Sequence, residues 1–377
     1  MCNFVTCNTD KILKQFWEIE KVEATQKMSV EETKCEEHFQ KTHLRQETGR
    51  YSVSFPFKEE RPTLGDSEQM AFRRLQALER RLEKDSYIRT QYNDFIKEYE
   101  NKHHMSEVST TEECYYIPHH CVIRESSETT KLRVVYEASA KSSNNKSLNE
   151  QICVGPKIQD DIFEILLRFR TWKIAISADL EKMFRQISMN SEDRRWQRIL
   201  WKSSPELPVK EYELNTVTYG TTSDPYLATR TLKQLSIDER EHFPEESTVA
   251  ERDFYVDDLM TGRDEGQEAV YLCQQLTEML NKGQFYLRKW ISNDRTVISA
   301  LQQSESTDNH YIKVSDLTKA LGLNWNTKED VFYFVLCKFS NQPPTKRTVF
   351  SDIAPLFDPL GWLAPVTIKA KMILQRL

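Results

Sequence analysis

The sequence lacks the features that mark secreted and membrane-spanning proteins. Its eight cysteines include no Cys-x-x-Cys pair and show no regular spacing, so neither a zinc ribbon nor a disulfide framework is indicated. No apolar run approaches about 18 residues, and residues 1–14 are too polar for a signal peptide. We therefore expect reduced thiols, no membrane span and a cytosolic or nuclear location.

Low complexity and a uniform charge are also absent. The 377 residues include only 9 Gly and 13 Pro, with 38% hydrophobic and 29% charged residues, which predicts a globular chain of about two or three subdomains. The net charge of −6 taken alone argues against a polyanionic partner. However, residues 164–202 carry nine basic and five acidic side chains, whereas residues 236–253 carry seven acidic and two basic ones. A basic surface for a polyanion is therefore compatible with the negative total.

Adjacent carboxylates occur in the stretch "DFYVDDLMTG", residues 253–262. The flanking apolar residues predict a strand, a tight turn and a second strand, with Asp257 and Asp258 at the tip. Two carboxylates this close repel each other by about a few kcal/mol at low effective dielectric, a cost tolerated mainly where a cation or several hydrogen bonds compensate it. Asp179 ends an earlier predicted strand, "WKIAISA". If the two strands are neighbours, three carboxylates converge.

Such a cluster suits two Mg²⁺ ions, which prefer oxygen ligands and support in-line phosphoryl transfer. Each part alone has an ordinary structural explanation, a helix cap for Asp179 and a turn for the acidic pair. Their joint occurrence with a basic stretch and with Phe184, an aromatic five residues after Asp179, favours catalysis. The residues alone leave a two-metal nuclease open beside a polymerase.

The remaining patterns alternate between helices and hairpins and predict an α+β fold. The first sixty residues contain an amphipathic helix around "ILKQFWEIE" and a second that begins at the capping box Ser29-x-x-Glu32. "CYYIPHHCVI" and "KLRVVYEA" form a hairpin around "RESSETT". Its consecutive His119, His120 and Cys121 alternate between strand faces and cannot converge on one metal. Ser223 or Asp224 before Pro225 predicts a helix start.

Many of these segments resemble the reverse transcriptase region of Bel/Pao long-terminal-repeat retrotransposons. "YVDD" in a strand-turn-strand is similar to the signature of retroviral-type reverse transcriptases. The similar segments follow the family order and cover nearly the whole chain: "FWEIE", "YYIPHHCVIRESSETTKLRVVYEASAK", "GPKIQDDIFEILLRFR", "ADLEKMFRQI", "TYGTTSDPYLATRTL", "RDFYVDDLMTG", "LRKWISN", "LGLNWN" and "FDPLGWLAP".

The resemblance implies an α+β right-hand polymerase whose antiparallel palm sheet is backed by helices. Residues 1–62 would form an accessory or linker region, 63–343 the fingers and palm, and 344–377 the start of a thumb or Pao-type C-terminal segment. The implied activity is RNA-directed DNA synthesis with two Mg²⁺ ions, which Mn²⁺ can replace, on a primed RNA or DNA template with dNTPs. The alternative is a decayed or host-adopted fragment that only binds nucleic acid or protein.

Residue roles also follow from the resemblance. Asp179 and Asp257 would hold the metals, and Asp258 would complete the acidic tip. Phe184 would lie beneath the sugar of the incoming nucleotide, and Lys289 would protonate pyrophosphate.

The remaining nucleotide and primer contacts are implied in the same way. Arg133 would contact the triphosphate, because a guanidinium matches phosphate oxygens, and Tyr219 with Gly220 would lie beside the nucleotide. The implied primer grip comprises Leu321, Gly322, Leu323, Asn324 and Trp325.

Some positions depart from the family pattern. Tyr219 stands where retroviral enzymes carry glutamine, Asp224 adds a negative charge beside the triphosphate channel, and Glu137 replaces a shorter acid. No Asp-Ser-Gly or Asp-Thr-Gly occurs, so we expect the protease of such a polyprotein to be absent, and RNase H and integrase likewise because the chain stops at Leu377. The implied location is the cytoplasm, in a retrotransposon particle, or the nucleus.

Overall fold

A computed structural model describes residues 28–60, 62–109, 112–123, 132–304, 317–335, 345–353 and 358–376. The helix expected around "ILKQFWEIE" and the loop "RESSETT" lie outside these residues. Within the described part of the chain, every helix is too short or too polar to cross a lipid bilayer.

Helices and strands alternate along the described chain, as the sequence patterns predict. The helices are α1 (Val30–Thr42), α2 (Glu68–Lys84), α3 (Ser86–Asn101), α4 (Leu148–Gln151), α5 (Ile162–Phe169), α6 (Ser191–Arg194), α7 (Asp224–Asp238), α8 (Pro244–Arg252), α9 (Gly266–Asn281), α10 (Arg295–Ser304), α11 (Lys346–Ile353) and α12 (Ala364–Arg376). The strands are β1 (Leu44–Arg45), β2 (Tyr51–Val53), β3 (Met105–Val108), β4 (His119–Ile123), β5 (Leu132–Tyr136), β6 (Ile174–Leu180), β7 (Ser188–Met189), β8 (Arg198–Trp201), β9 (Lys210–Leu214), β10 (Phe254–Tyr255), β11 (Asp258–Arg263), β12 (Leu287–Ser292), β13 (Leu317–Ala320), β14 (Leu323–Asn326) and β15 (Val331–Tyr333).

A four-stranded antiparallel sheet, in the order β10-β11-β6-β12, lies at the centre of the fold. The central strand β6 is buried along almost its whole length, because both faces of the sheet are covered. Ile174, Ile176 and Ala178 enter the main core, on the side where α9 packs. On the other face, Ala175 joins a second core with Phe169 and neighbouring α5 residues. The sheet is therefore held rigidly between two apolar layers.

The described part of the expected accessory region packs into the main core. Phe39 of α1 and Tyr51, Val53 and Phe55 are each at most 2% exposed. Strand β2 pairs in parallel with β7, through Ser52↔Ser188 and Val53↔Met189. Residues 30–57 are thus structurally continuous with the central fold, and the boundary after residue 62 stays a prediction.

Strands β4, β5, β8 and β9 form antiparallel pairs in separate sheets. Strands β4 and β5 pair antiparallel with His119 opposite Tyr136, and β8 pairs with β9 in the sheet β3-β9-β8. His119 is buried, its Nε2 lies 3.0 Å from the Leu200 carbonyl oxygen, and burial lowers its pKa to about 4. It is a packed core histidine.

Candidate catalytic centre

Three carboxylates meet at one end of the central sheet. In the β6–β11 pairing Asp179 lies directly opposite Asp258, so the two side chains share a face. Tyr255 pairs with Asp258, which leaves Val256 and Asp257 as a two-residue turn, and the Leu180 N–H donates to the Asp257 carbonyl oxygen at 2.8 Å. The strand-turn-strand prediction is confirmed. The catalytic role of the three acids stays a prediction.

Two of the acids, Asp257 and Asp258, have raised pKa values. The pKa of Asp258 is raised to about 7, first by burial and then by the charges of Asp257 and Asp179. The pKa of Asp257 is raised by burial and then by Asp179. Lys289 opposes both shifts. The acidic tip therefore carries an electrostatic cost that a bound cation would relieve.

Lys289 supplies a cation to this cluster from β12. Its Nζ forms an ion pair with Asp179 Oδ2. The strand is irregular here: the pairing with β6 shifts between Arg288 and Ile291, and Lys289 has φ +54°. Such a bulge re-aims a side chain. The structure thus places Lys289 on a carboxylate, and its implied role in protonating pyrophosphate stays a prediction.

The donor chemistry of this tip suits Mg²⁺, because three carboxylates offer the hard oxygen ligands that the ion prefers. Burial first, and the neighbouring carboxylates second, raise the pKa of Asp257 and Asp258, and a bound cation would oppose both effects. As placed, however, no three Asp, Glu, His or Cys side chains of the described residues are arranged to hold a metal ion. The residue types fit the ion. In the structure, one of the three carboxylates, that of Asp179, is ion-paired with Lys289.

Phe184 lies in a 3₁₀ helix, Met183–Gln186, that begins after Lys182, whose φ is +49°. The ring is half-buried and packs against the main core, and α7 lies against this short helix. A core aromatic and a gate beneath the sugar both fit this position. The gate remains a prediction.

Tyr219 and Gly220 lie against the end of β5, the strand that carries exposed Arg133. The rings of Tyr136 and Tyr219 have centroids 5.4 Å apart. Gly220 has φ +111°, and a Cβ there would lie 2.3 Å from the Tyr136 carbonyl oxygen, so only glycine fits this approach. The structure thus brings Tyr219 and Gly220 to the end of the strand that carries Arg133.

Two of the departures from the family pattern have structural explanations. Asp224 is 2% exposed and accepts hydrogen bonds from the N–H (2.8 Å) and the hydroxyl of Thr221, so its carboxyl group is engaged within the chain, and its charge beside a nucleotide channel stays a prediction. Burial raises its pKa well above the usual value. Helix α7 does start here, although the hydroxyl of Ser223 at the cap position makes no hydrogen bond with the described residues. The second departure, Glu137, forms an ion pair with Arg74, with 3.7 Å between Oε1 and Nη2.

The proposed primer grip forms the turn between β13 and β14 and most of β14. Leu321 and Gly322 have φ +47° and +85°. Leu323 and Trp325 are buried in the second core, and the Trp325 indole N–H donates to Asp330 Oδ1 at 3.0 Å. These apolar side chains hold the hairpin on α5. The exposed backbone of Gly322 and the half-exposed Asn324 remain as surface for a primer, and that role stays a prediction.

Most of the positive charge in residues 164–202 is neutralised within the chain. Six of its nine basic side chains form ion pairs: Arg168, Arg170, Lys182, Arg185, Arg195 and Arg198. Fewer of these basic side chains are therefore outside intramolecular ion pairs than the count along the sequence suggests, and the contact of this stretch with a polyanion stays a prediction.

One contact of the hairpin that carries Asp257 was not predicted from the sequence. Gln159 Oε1 accepts the backbone N–H of Val256 at 2.6 Å, across 97 residues of sequence. In the sequence, Gln159 lies in a short polar loop two residues before the capping residue Asp161. This position does not indicate a hydrogen-bond partner 97 residues away.

Comparisons with known proteins relate the chain to retroelements. The profile of one family, described as "Pao retrotransposon-like RNaseH-like domain", matches residues 345–377. No curated protein shows significant sequence similarity. One similar solved structure is the foamy viral protease-reverse transcriptase in complex with an RNA/DNA hybrid, with a TM-score of 0.52 and 12% identity over 78% of this chain and 34% of that chain.

Two other foamy virus structures are similar at lower TM-scores. The prototype foamy virus protease-reverse transcriptase CSH mutant gives 0.43, with 13% identity over 75% of this chain and 31% of that chain. The foamy viral protease-reverse transcriptase dRH in complex with double-stranded DNA has a TM-score of 0.45. The two sequences are 14% identical over 68% of this chain and 38% of that chain. The chain spans about a third of the length of these proteins. The fold argument rests on the structure with the TM-score of 0.52.

The fold of the described chain is therefore a mixed helix and strand fold similar to that of a retroviral-type reverse transcriptase. The profile match relates residues 345–377 to a Pao retrotransposon domain, and the structural similarity shows the fold of the rest of the chain. The matched profile is described as RNaseH-like, whereas the resemblance implied the start of a thumb there. The described part of this segment forms α11 and α12, and the absence of RNase H stays a prediction.

Proposed function

We propose that this chain is the RNA-directed DNA polymerase region of a Bel/Pao-type retrotransposon Pol protein. The observation that carries the proposal is the register of the central sheet, which sets Asp179 opposite Asp258 with Asp257 in the adjoining turn. The order of family-like segments along the chain narrows the proposal to Bel/Pao. The fold comparison supports a polymerase over an unrelated nuclease.

Asp179 and Asp257 would hold two Mg²⁺ ions in this reaction, with Asp258 completing the acidic tip. When bound, the ions would activate the primer hydroxyl and stabilise the leaving pyrophosphate. The chain itself would position the acids. The pairing of β6 with β11 fixes the separation of Asp179 and Asp258, and the apolar cores on both faces hold the sheet rigid. Lys289, which lies beside Asp179, would supply the proton to the pyrophosphate.

The nucleotide would lie between the acidic tip and the end of β5. Arg133 would bind the triphosphate, because its side chain is exposed on that strand. Tyr219 and Gly220 would form the adjacent wall, packed on Tyr136. Phe184 would lie beneath the sugar and exclude a 2′-hydroxyl.

A second candidate is a fragment that binds nucleic acid without catalysis. The ion pair between Lys289 and Asp179 favours it, because a carboxylate engaged by an ammonium group is less available to a metal. Under this alternative the three acids no longer take part in catalysis, and exposed basic side chains alone bind the nucleic acid.

Primer extension separates the two functions. The protein is incubated with a primed RNA template, dNTPs and Mg²⁺ or Mn²⁺, beside the Asp257→Asn variant. Extension by the wild type and none by the variant supports the polymerase. Binding of the template by both proteins without extension by either supports the non-catalytic fragment.

A further inference from the structure

The turn that carries Asp257 needs a hydrogen-bond partner from outside the hairpin. Val256 is the first of its two residues, and the N–H of a first turn residue does not pair within the ladder. In this protein that N–H donates to the side-chain Oε1 of Gln159 at 2.6 Å. The contact is partly buried, so water does not readily replace a lost acceptor.

The same turn has an unfavourable backbone conformation. Val256 has φ +55°, which is a rare outlier for a β-branched residue. Such a conformation persists only where surrounding contacts determine it. Two contacts do so here: Gln159 holds the peptide entering the turn, and the Leu180 N–H holds the Asp257 carbonyl at 2.8 Å as the chain leaves it.

Gln159 is itself fixed in place. Four residues earlier, Gly155 has φ +85° and lies so close to Tyr226 that a Cβ would be 2.3 Å from its ring. Two residues later, Asp161 forms a capping box with Glu164 and starts α5, which packs on both β10 and β11. The loop that carries Gln159 is thus anchored on α7 and on the hairpin it contacts.

We propose that Gln159 is a positioning residue that sets the orientation of the Asp257 carboxylate through the backbone of Val256. The inference rests on the proposed polymerase function and deepens it, since it names the residue that holds the catalytic turn in its productive conformation. Gln159 does not itself touch the reacting groups in this arrangement. Its effect passes through one hydrogen bond.

Two variants remove that bond in different ways. Gln159→Met keeps the length of the side chain without an acceptor, and Gln159→Asn keeps the amide but withdraws it by one methylene. Gln159→Glu retains an acceptor oxygen. The matched control is Gln274→Met, the same change at an exposed position of α9. Using both Met and Asn keeps the test decisive if one variant fails to fold.

The first readout is hydrogen exchange of the Val256 amide in the full chain, which needs no polymerase activity. We expect exchange to rise about tenfold or more in the Met and Asn variants, because the loss of a partly buried bond is worth about one factor of ten. The Glu variant and the Gln274→Met control should keep the wild-type protection. Unchanged protection in the Met and Asn variants would overturn the proposal.

The second readout is single-nucleotide extension, with kcat and KM for the dNTP measured separately. We expect kcat to fall about 10-fold to 100-fold in the Met and Asn variants, as for a small misplacement of a reacting group, while KM changes little. Lost amide protection with unchanged kcat would overturn the positioning role. If the wild type does not extend primers, the proposed function fails, whereas the exchange data still report whether Gln159 fixes the turn.

Discussion

Asp179 and Asp258 are direct cross-strand partners, and Lys289 from the next strand is ion-paired with Asp179. Like charges directly opposite each other destabilise an antiparallel ladder. The central sheet therefore has an unfavourable pair at one end, stabilised by apolar packing over the rest of its length. A cluster of like charges that lowers the stability of the fold is typical of a functional site.

Loss of any acid of the tip is expected to remove synthesis without unfolding the protein. Asp179→Asn and Asp257→Asn should reduce Mg²⁺-dependent extension by about a thousandfold or more, and Asp258→Asn by less, because each change keeps shape and deletes a charge that would compensate the metals. Primer extension and circular dichroism give the two readouts. Asp264→Asn, an exposed acid just after β11, is the control and should extend normally. Extension by Asp257→Asn at the wild-type rate would sink the two-metal mechanism.

Stability should depend on pH through Asp258. Its pKa is about 7 in the folded protein, above the value of about 3.9 for an unfolded aspartate, so the folded state binds the extra proton between these values. The free energy of unfolding should therefore fall as pH rises from about 4 to 7 and stay low above that range. Asp258→Asn should raise the free energy of unfolding at pH 8 by roughly 2 kcal/mol and flatten the profile. Urea titrations at several pH values measure this, and an unchanged slope in the variant would contradict it.

Sugar selection should depend on Phe184. A rigid ring beneath the ribose leaves no space for a 2′-hydroxyl, so Phe184→Val should raise the use of ribonucleotides relative to deoxyribonucleotides and largely preserve the latter. Single-nucleotide extension with matched dNTP and rNTP pairs gives the ratio. Phe95→Val, another partly buried aromatic that packs on the main core, is the control for lost packing. An unchanged ratio, or an unfolded variant, would assign Phe184 to packing alone.

Gly220 should tolerate no side chain. Its φ of +111° and the 2.3 Å separation between an added Cβ and the Tyr136 carbonyl oxygen predict that Gly220→Ala costs about 1–3 kcal/mol and weakens nucleotide binding. Gly266→Ala is the matched control, because the nearest atom to its Cβ would be 3.7 Å away. Thermal unfolding and the KM for dNTP check both effects. Equal stability of the two variants would contradict the close approach.

Binding of primer-template should respond to salt less steeply than the sequence suggests. Of the basic residues in 164–202, Lys173, Arg194 and Lys202 remain outside the ion pairs that the structure describes, so this stretch should contribute a slope of about −3 to log K against log salt. Binding titrations of the triple Gln variant at these positions should lose that contribution. A slope that is unchanged would place the phosphate contacts elsewhere.

Local sequence patterns were sufficient to predict the strands and the turn that carry the three acids. The apolar runs around Asp257 and Asp258 predicted a hairpin, and the strand before Asp179 was equally plain, because side-chain alternation and turn chemistry act over a few residues. The helix at Pro225 was predicted as well, although the role of Asp224 was not. A carboxylate near a helix start reads as a cap, and only the fold shows that it is buried against Thr221.

The sequence by itself therefore determined which strands, turns and acids exist, and the order of its segments indicated their family. Only the tertiary structure decided that Asp179 faces Asp258, that Lys289 reaches Asp179, and that Gln159 holds the turn at Val256. These contacts join residues about 80 to 110 positions apart, and most ion pairs of the basic stretch also join residues far apart in the sequence. The physical reason is that strand register and long-range hydrogen bonds are selected by the packing of the whole core, which no short window of sequence contains.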